Sequence, residues 1–272
     1  MCAVPDPTRS RLDQEALPTV AFLEGACADT ATRAAERIRA NVGRALALRA
    51  KSSATDIVTQ TDLDSESFIR TELSALTPGA GFLGEEGGQT DHAARVQWVV
   101  DPLDGTINFL YDLPVFAVSI AALLDGRTVA GAVVDVLRGE VFSAGIGSGA
   151  RLQAHPIRCS TQTELGQSMI GTGFSYLADT RRDQAELLRD VLPAVRDIRC
   201  FGSAALQLCW VGNGRLDGYF ERDTKLWDYA AGALIASEAG ATVEWPCPEN
   251  ENLMLAAATA VFDPVRALVV AG

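Results

Sequence analysis

The chain contains 272 residues, of which 48% are hydrophobic and 21% are charged, and its formal net charge is −12 at pH 7. A length of this order accommodates one large domain or two closely packed subdomains, with ample apolar material for a core. The acidic balance argues against a general nucleic-acid binder, which normally presents a basic surface.

The cysteines and histidines indicate which metal sites and which cellular compartment to expect. The six cysteines form no C-x-x-C pair and only two histidines are present, so a zinc site built from thiolates or imidazoles is not expected. Unpaired cysteines in a chain of this size predict buried thiols in a reducing compartment. No apolar run has the length of a membrane span, and residues 1–14 lack the apolar core of a signal peptide. We therefore expect a cytoplasmic protein with no membrane association.

The first elements along the chain are predicted helices. Residues 1–12 resemble a loose tail, and the apolar spacing over 14–48 predicts one long helix with an interruption near Gly25 or Gly43. A second helix is predicted over 62–76, and the Thr-Pro-Gly sequence after it ends that helix.

Short strands follow these two helices. Apolar runs separated by Asp125-Gly126 and Arg138-Gly139 predict hairpins, because such pairs favour two-residue turns. The predicted strands lie at 82–83, 96–100, 115–124, 128–137 and 140–144. The first half of the chain is therefore predicted to form an antiparallel sheet.

The second half alternates strands with helices. Strands are predicted at 168–172, 198–200, 216–220 and 241–245, helices at 182–192, 203–212 and 227–239, and a last strand–helix pair at 254–270. This alternation predicts layered α/β structure with a mixed sheet. The predicted organisation is a tail at 1–12, an N-terminal α+β subdomain at 13–155 and a C-terminal α/β subdomain at 156–272.

Three acidic junctions stand out from this pattern. Residues 84–88 read Gly-Glu-Glu-Gly-Gly, Asp101 and Asp104 follow an apolar strand, and Asp228 lies near the start of a helix. Each has a simpler interpretation, namely a solvated loop, a turn and a helix cap. Carboxylates that converge on one point are costly unless a cation neutralises them. Hard divalent cations such as Mg²⁺ prefer oxygen ligands, so the three junctions together favour a metal site.

The residues after Asp104 suggest what such a metal would serve. Gly105 and Thr106 are expected to present N–H groups and a hydroxyl that suit a phosphate. Carboxylates beside a phosphate site indicate cation-assisted phosphoryl chemistry.

Two competing motifs are not favoured. Residues 62–66 resemble the start of a calcium loop, but Ser67 and Leu73 stand where an EF-hand needs Gly and Glu. Residues 145–150 have the glycine spacing of a dinucleotide loop without the helix that should follow. A turn is predicted there instead.

Four ordered segments resemble motifs of the inositol monophosphatase family of Mg²⁺-dependent phosphatases. Residues 101–109 (DPLDGTINF) resemble its metal-binding motif, and residues 227–241 (WDYAAGALIASEAGA) resemble its second signature. Residues 84–86 (GEE) and 51–62 (KSSATDIVTQTD) are similar to two further blocks in the expected order. The resemblance covers roughly residues 15–270 and implies a layered α/β/α/β/α sandwich of the sugar phosphatase type.

The resemblance also implies a role for each matching residue. The implied ligands of two or three Mg²⁺ ions are Glu85, Asp101, the backbone carbonyl of Leu103, Asp104 and Asp228. The implied catalytic residues are Asp62, Thr106 and Glu85, of which the pair of Asp62 and Thr106 would position and help to deprotonate the attacking water. The implied substrate contacts are Asp104, Gly105, Thr106, Ala204, Glu221 and Asp228. Lys51 would lie in a mobile loop that closes over the site.

The substrate follows less directly from the same resemblance. Residues 107–109 and Glu221 are similar to the inositol monophosphatase branch, which favours inositol monophosphate or a similar polyol or sugar phosphate. Residues 222–226 depart from the expected sequence, so histidinol phosphate, fructose 1,6-bisphosphate and 3′-phosphoadenosine 5′-phosphate stay open. A regulatory protein with a macromolecular partner is the alternative of another class. The resemblance further implies a homodimer and sensitivity to lithium, and it leaves the roles of Glu86 and Lys225 open.

Overall fold

The computed structural model describes residues 17–43, 48–50 and 57–271. Its helices are α1 (Val20–Arg39), α2 (Gln60–Leu76), α3 (Thr106–Leu110), α4 (Ala178–Val191), α5 (Ala204–Gly212), α6 (Leu226–Glu238) and α7 (Thr259–Ala271). Its strands are β1 (Leu48–Ala50), β2 (Ile57–Thr59), β3 (Gly81–Gly84), β4 (Gly88–Thr90), β5 (Val96–Asp104), β6 (Ala117–Leu124), β7 (Arg127–Asp135), β8 (Val141–Gly145), β9 (Ala150–Leu152), β10 (His155–Pro156), β11 (Met169–Thr172), β12 (Asp197–Cys200), β13 (Gly218–Arg222), β14 (Thr242–Glu244) and β15 (Leu253–Ala257).

Most of these strands belong to two large sheets. The first has eight strands in the order β10-β9-β8-β7-β6-β5-β3-β4, and the second has five in the order β12-β11-β13-β15-β14. The first sheet is antiparallel except for the parallel pair of β3 and β5. In the second, β11 is parallel to both β12 and β13, whereas β13, β15 and β14 are antiparallel. The mixed second sheet is confirmed, and the parallel pair in the first sheet was not predicted, since apolar periodicity does not encode strand direction.

The first sheet is covered by helices on both faces. One cluster of buried side chains joins Leu23 of α1 and Ile69 of α2 to Val100 of β5. A second cluster joins Val99 of β5 to Ile235 of α6. Neighbouring residues of a strand point to opposite faces, so β5 is apolar on both sides, as its continuous hydrophobic run indicates.

The second sheet continues the same layering. The cluster under α6 extends through Leu206 of α5 to Met254 of β15. A further cluster joins Phe220 of β13 to Val191 of α4 and Val265 of α7 on the far side. The layers therefore follow the order α/β/α/β/α, which confirms the fold class implied by the sequence.

Small residues set the position of α6. A Cβ atom added to Gly131 of β7 would lie 2.9 Å from the Cα atom of Ala231. One added to Gly232 would lie 2.8 Å from the Cβ atom of Leu208 in α5. The run of alanine and glycine in α6 thus lets this helix approach β7 and α5 closely, and it fixes where the first turn of α6 presents Asp228.

Several sequence-based boundaries differ from the structure. The long helix predicted over 14–48 ends at Arg39, because Gly43 adopts φ +73° in the turn that follows and residues 48–50 form β1. The hairpin of β9 and β10 was not predicted. Residues 145–150 are confirmed as a turn, in which the N–H groups of Gly147 and Gly149 donate to Glu238.

Three further expectations concern the cysteines, membrane-spanning helices and the division into subdomains. The five described cysteines are free thiols, of which Cys27 and Cys209 are buried, whereas Cys200 is exposed, so the prediction of buried thiols is wrong for Cys200. Among the described helices, none is both long and apolar enough to cross a bilayer. The division into subdomains at 155 and 156 stays a prediction.

Candidate active site

Two buried aspartates, Asp101 and Asp104, lie at the carboxyl end of strand β5. The pairing of β5 with β6 is regular up to Asp101 and then shifts register before Asp104. Asp101 is 2% exposed and Asp104 is 8% exposed. The Asp101 Oδ1 atom accepts the N–H of Leu103 at 3.0 Å, which closes the local turn around Pro102. A register shift of this kind re-aims side chains next to functional sites, and here it holds both carboxylates at one end of the strand.

Helix α5 anchors Asp104 from the opposite layer. The Asp104 Oδ2 atom accepts hydrogen bonds from Ser203 Oγ at 2.6 Å and from the N–H of Ala205 at 2.8 Å. Ser203 Oγ also accepts the N–H of Leu206 at 3.3 Å and so caps α5. Since the amino-terminal end of a helix favours negative charge, the start of α5 fixes the orientation of this carboxylate.

Asp228 is the third residue of α6. Its Oδ2 atom accepts the N–H of Lys225 at 2.6 Å, so the carboxylate returns to the residue that precedes the helix. The simpler interpretation of Asp228 as a helix-capping residue therefore has a structural basis. The Lys225 side chain is exposed, and its backbone N–H is the group that holds Asp228.

The acidic residues from these segments lie within electrostatic range of one another. Burial raises the pKa of Asp101 well above its usual value, and the charges of Glu85, Asp104 and Asp228 raise it further. Burial also raises the pKa of Asp228, against the effect of its bonded N–H group, and Glu85 and Asp104 again add to it. The structure thus brings together four carboxylates, from 85, 101, 104 and 228, whose charges repel one another.

This donor set fits a hard divalent cation in its chemistry. Burial raises the pKa of Asp104 to about 6, although the hydrogen bonds from Ser203 and Ala205 lower it. A buried carboxylate whose pKa is raised in this way is stabilised in its charged form by a bound cation that prefers oxygen ligands. Within the described part of the chain, no three acidic, histidine or cysteine side chains already have the spacing of a completed metal site.

The predicted catalytic pair is assembled beside this cluster. Thr106 Oγ1 donates to Asp62 Oδ1 at 2.8 Å and also lies 3.0 Å from the carbonyl oxygen of Leu103. The second oxygen of Asp62, Oδ2, accepts the N–H of Thr59 at 3.0 Å and the hydroxyl of the same residue. Asp62 is fully buried. It is therefore fixed on α2, with its Oδ1 atom toward Thr106.

Gly105 has a conformation that other residues rarely adopt. Its φ is +90°, in the left-handed region that favours glycine. A Cβ atom at this position would lie 2.9 Å from the carbonyl oxygen of Val115 and 3.1 Å from that of Gly202. The first N–H groups of a helix lack partners within that helix, so the close turn at Gly105 leaves the N–H groups at the start of α3 available to a ligand.

The loop that carries Glu85 wraps around another carboxylate. Glu66 of α2 is 4% exposed, and its Oε2 atom accepts the N–H of Glu86 at 2.8 Å. A Cβ atom at either Gly84 or Gly87 would overlap with the Glu66 carboxylate. The glycines of this loop therefore make room for Glu66. The N–H of Glu85 donates to the carbonyl of Val100 at 3.2 Å, which holds the loop against β5.

Two of the predicted substrate contacts, Ala204 and Glu221, come from the second half of the chain. Ala204 is the first residue of α5, directly after Ser203. Glu221 lies on β13, where burial raises its pKa to about 7, the hydroxyl of Tyr219 lowers it, and the charge of Asp104 raises it. That electrostatic effect places Glu221 near the acidic cluster. Lys51 lies outside the described residues.

Three site residues were missed by the sequence analysis. Thr59 binds Asp62, Ser203 binds Asp104 and Tyr219 binds Glu221. The pattern Thr-x-x-Asp at 59–62 is a recognisable capping box, and Ser203 stands where a helix-capping residue is expected before an apolar run. The signal for Tyr219 is the strand alternation that puts it on the same face as the residue two positions later.

Comparisons with known proteins add an independent finding. The chain matches the model of the inositol monophosphatase family over residues 21–263. It is 50% identical over 233 residues to inositol-1-monophosphatase SuhB of Mycobacterium tuberculosis, covering 81% of this chain and 80% of the relative. It is 42% identical over 195 residues to a Xylella fastidiosa relative named Nus factor SuhB, covering 71% and 70%. A solved structure of Mycobacterium tuberculosis SuhB matches with a TM-score of 0.81 at 43% identity, over 93% of this chain and 97% of that one.

Proposed function

The chain belongs to the inositol monophosphatase family of phosphoric monoester hydrolases, and we propose that it is a Mg²⁺-dependent phosphatase of inositol monophosphate or a similar small polyol or sugar phosphate. The observation that carries this proposal is the convergence of four carboxylates beside the hydrogen-bonded pair of Thr106 and Asp62. A phosphate monoester is dianionic near neutral pH, and its transition state needs charge neutralisation and positioning more than a covalent nucleophile.

The acidic cluster is proposed to hold the metal. Two or three Mg²⁺ ions would take ligands from Glu85, Asp101, the carbonyl of Leu103, Asp104 and Asp228. When bound, the ions supply Lewis-acid activation and neutralise charge on the entering and leaving oxygens. The protein contributes orientation, because backbone or hydroxyl hydrogen bonds already fix one oxygen each of Asp101, Asp104 and Asp228.

The attacking water is proposed to bind at Thr106. The hydroxyl of Thr106 has one proton, and we assign it to the shorter of its two contacts, the one to Asp62, whose other oxygen is held by two groups of Thr59. The lone pairs of Thr106 Oγ1 therefore accept a hydrogen bond from water. A proton released from the water can pass through the hydroxyl to Asp62, which acts as the general base.

The phosphate group is proposed to bind at the start of α3. The N–H groups of Gly105 and Thr106 would donate to two of its oxygens, as the first N–H groups of a helix commonly do for anions. Gly105 is left-handed, and an added Cβ atom would lie 2.9 Å from the Val115 carbonyl oxygen, which supports a turn that accommodates glycine and no larger residue.

The alcohol half of the substrate is proposed to contact Ala204 and Glu221. Of these two residues, Glu221 has a side-chain carboxylate, which would accept a hydrogen bond from a hydroxyl group of the polyol. We further place the enzyme in the cytoplasm as a lithium-sensitive homodimer. The family resemblance supports the dimer and the lithium sensitivity, and the unpaired cysteines support the cytoplasmic location.

A panel of phosphate esters tests the proposal. Release of inorganic phosphate is measured with inositol 1-phosphate, fructose 1,6-bisphosphate, histidinol phosphate and 3′-phosphoadenosine 5′-phosphate, with Mg²⁺ and with a chelator. We expect inositol 1-phosphate to be hydrolysed with the highest kcat/KM, and only with Mg²⁺. A higher kcat/KM with another ester would show that the enzyme prefers the alcohol of that ester to inositol. Activity that persists in chelator would contradict the metal-dependent mechanism.

A second candidate function follows from a separate observation. The Xylella fastidiosa relative is named a Nus factor, which favours a regulatory role through a macromolecular partner. Recovery of a stable protein partner, with no phosphate release from any ester of the panel, would support that role in place of catalysis.

A further inference from the structure

Tyr219 and Glu221 are neighbours on one face of β13. They lie two residues apart in the strand, and side chains at this spacing share a face. Strand β11 runs parallel to β13, with Gly171 opposite Tyr219 and Thr172 opposite Phe220. Continuing this register by one residue places Gly173 beside Glu221.

The two glycines provide the space that these side chains occupy. A Cβ atom at Gly171 would lie 3.3 Å from Cδ2 of Tyr219 and 2.9 Å from Cδ1 of Leu216. A Cβ atom at Gly173 would overlap with the carboxylate of Glu221. The glycines at 171 and 173 therefore leave room for the side chains of Tyr219 and Glu221 on this face of the sheet.

Tyr219 fixes one oxygen of Glu221. Its side chain is fully buried, and its hydroxyl donates to the Oε2 atom of Glu221. Burial raises the pKa of Tyr219 well above its usual value, as does the charge of Glu221, so the phenol keeps its proton and is the donor. Among the described residues, no hydrogen bond engages the other carboxylate oxygen, Oε1.

We propose that Tyr219 is a specificity-determining positioning residue, which together with Gly173 holds Glu221 in one orientation and leaves Oε1 to accept a hydroxyl group of a polyol phosphate. This inference rests on the proposed function, because it gives Glu221 the alcohol half of the substrate. Tyr219 acts through Glu221 and has no contact with the phosphate in this account.

The substitution Tyr219→Phe tests the inference, since it removes the hydroxyl and keeps the ring that fills the core. The readout is the ratio of kcat/KM for inositol 1-phosphate to that for p-nitrophenyl phosphate, which carries no aliphatic hydroxyl group. We expect this ratio to fall about tenfold, the loss of one hydrogen bond to a charged group. An equal loss with both substrates would indicate a structural role and overturn the inference.

A double-mutant cycle shows whether Tyr219 acts through Glu221. In the Glu221→Gln background, Tyr219→Phe should lower the ratio by less than twofold. A full tenfold loss in that background contradicts the inference. Gly173→Ala should reproduce the fall in the ratio by displacing the carboxylate. Its matched control is Gly166→Ala, where the added Cβ atom meets nothing closer than 3.9 Å and the ratio should stay constant.

Calorimetry separates this inference from the proposed function. The affinity of the Mg²⁺-loaded protein for inositol 1-phosphate is compared between Thr106→Ala and Thr106→Ala/Tyr219→Phe, because loss of the Thr106 hydroxyl should make turnover too slow to consume the ligand during the titration. A roughly tenfold weaker affinity in the double variant supports the positioning role even if neither substrate is hydrolysed by the wild type, an outcome that would contradict only the proposed function. Equal affinities overturn the inference whatever the activity.

Discussion

The Oγ1 atom of Thr106 lies 2.8 Å from the Oδ1 atom of Asp62, and this hydrogen bond joins α3 to α2 across 44 residues of sequence. Thr59 holds the other oxygen of Asp62, so the carboxylate cannot turn away without losing that hydrogen bond. The geometry gives the threonine hydroxyl a fixed acceptor for its proton and leaves its lone pairs for a water molecule.

Thr106→Ala removes the proposed relay between water and Asp62. We expect kcat with inositol 1-phosphate to fall about 10²–10⁴-fold, the usual contribution of a positioned general base, with little change in KM. Thr106→Ser, which keeps the hydroxyl, should retain most of the activity. Steady-state kinetics of the two variants check this, and equal losses in both would contradict the relay.

Ser203→Ala removes the hydroxyl that binds Asp104. We expect the affinity for Mg²⁺, measured by calorimetry, to fall about 10-fold, because groups that orient metal ligands commonly contribute this much. The matched control is Ser168→Ala. Ser168 is also buried, but its hydroxyl donates to the carbonyl of Glu164, away from the acidic cluster. A similar loss of Mg²⁺ affinity in both variants would show that the effect is one of general stability.

Gly105→Ala places a side chain where the backbone is left-handed and the carbonyl of Val115 is close. We expect a loss of about 1–3 kcal/mol in the free energy of unfolding from backbone strain and a further loss from the overlap with the Val115 carbonyl, together with loss of phosphate binding. Gly126→Ala is the control, because φ there is +79° and an added Cβ atom meets open space. Denaturant unfolding should show a smaller loss for Gly126→Ala, and the opposite order would contradict this account of Gly105.

The acidic cluster predicts how stability depends on pH and metal. The folded pKa of Asp104 is about 6 and lies above its usual 3.8, so the metal-free native state binds more protons than the unfolded state between these values. Stability without metal therefore rises as the pH falls from about 7.5 to about 5. Burial acts in the same direction on the pKa values of Asp101 and Asp228.

Mg²⁺ should reverse this dependence, because it binds the deprotonated carboxylates. At a pH of about 7.5 and about 100 times its Kd, it should stabilise the fold by about 2.7 kcal/mol. Thermal melts at the two pH values, with Mg²⁺ or with NaCl of equal ionic strength, check both the pH dependence of the metal-free Tm and the effect of Mg²⁺ on Tm. A metal-free Tm that falls on acidification over this range, or no effect of Mg²⁺ at the higher pH, would contradict the cluster.

Much of the fold could be predicted because its local signals are strong. The turn at Asp125-Gly126 and the apolar run of β5 both appear where the sequence indicates them. Of the two glycines where a break in the first helix was predicted, Gly25 lies inside α1 and the left-handed Gly43 lies in the turn after Arg39; periodicity could not decide between them, because alanine and arginine continue past Arg39. The parallel pairing of β3 with β5 depends on how the chain returns through β4, which no local pattern encodes.

The acidic residues of the site were predictable because carboxylates after apolar strands are unusual. Their supporting contacts were not, because they join distant segments. The hydroxyl of Ser203 reaches Asp104 across 99 residues of sequence. The glycines beside Glu85 make room for the carboxylate of Glu66 on α2, a contact that the local sequence of the loop does not reveal.

The most direct test of the central claim is phosphate release from inositol 1-phosphate by the wild type and by Asp104→Asn. The amide oxygen that this substitution introduces can still accept hydrogen bonds from Ser203 and Ala205, so the fold should persist, as circular dichroism will show. We predict hydrolysis by the wild type only when Mg²⁺ is present, and none by the folded variant. Full activity of the Asp104→Asn variant, or wild-type activity that persists without divalent metal, would contradict the account.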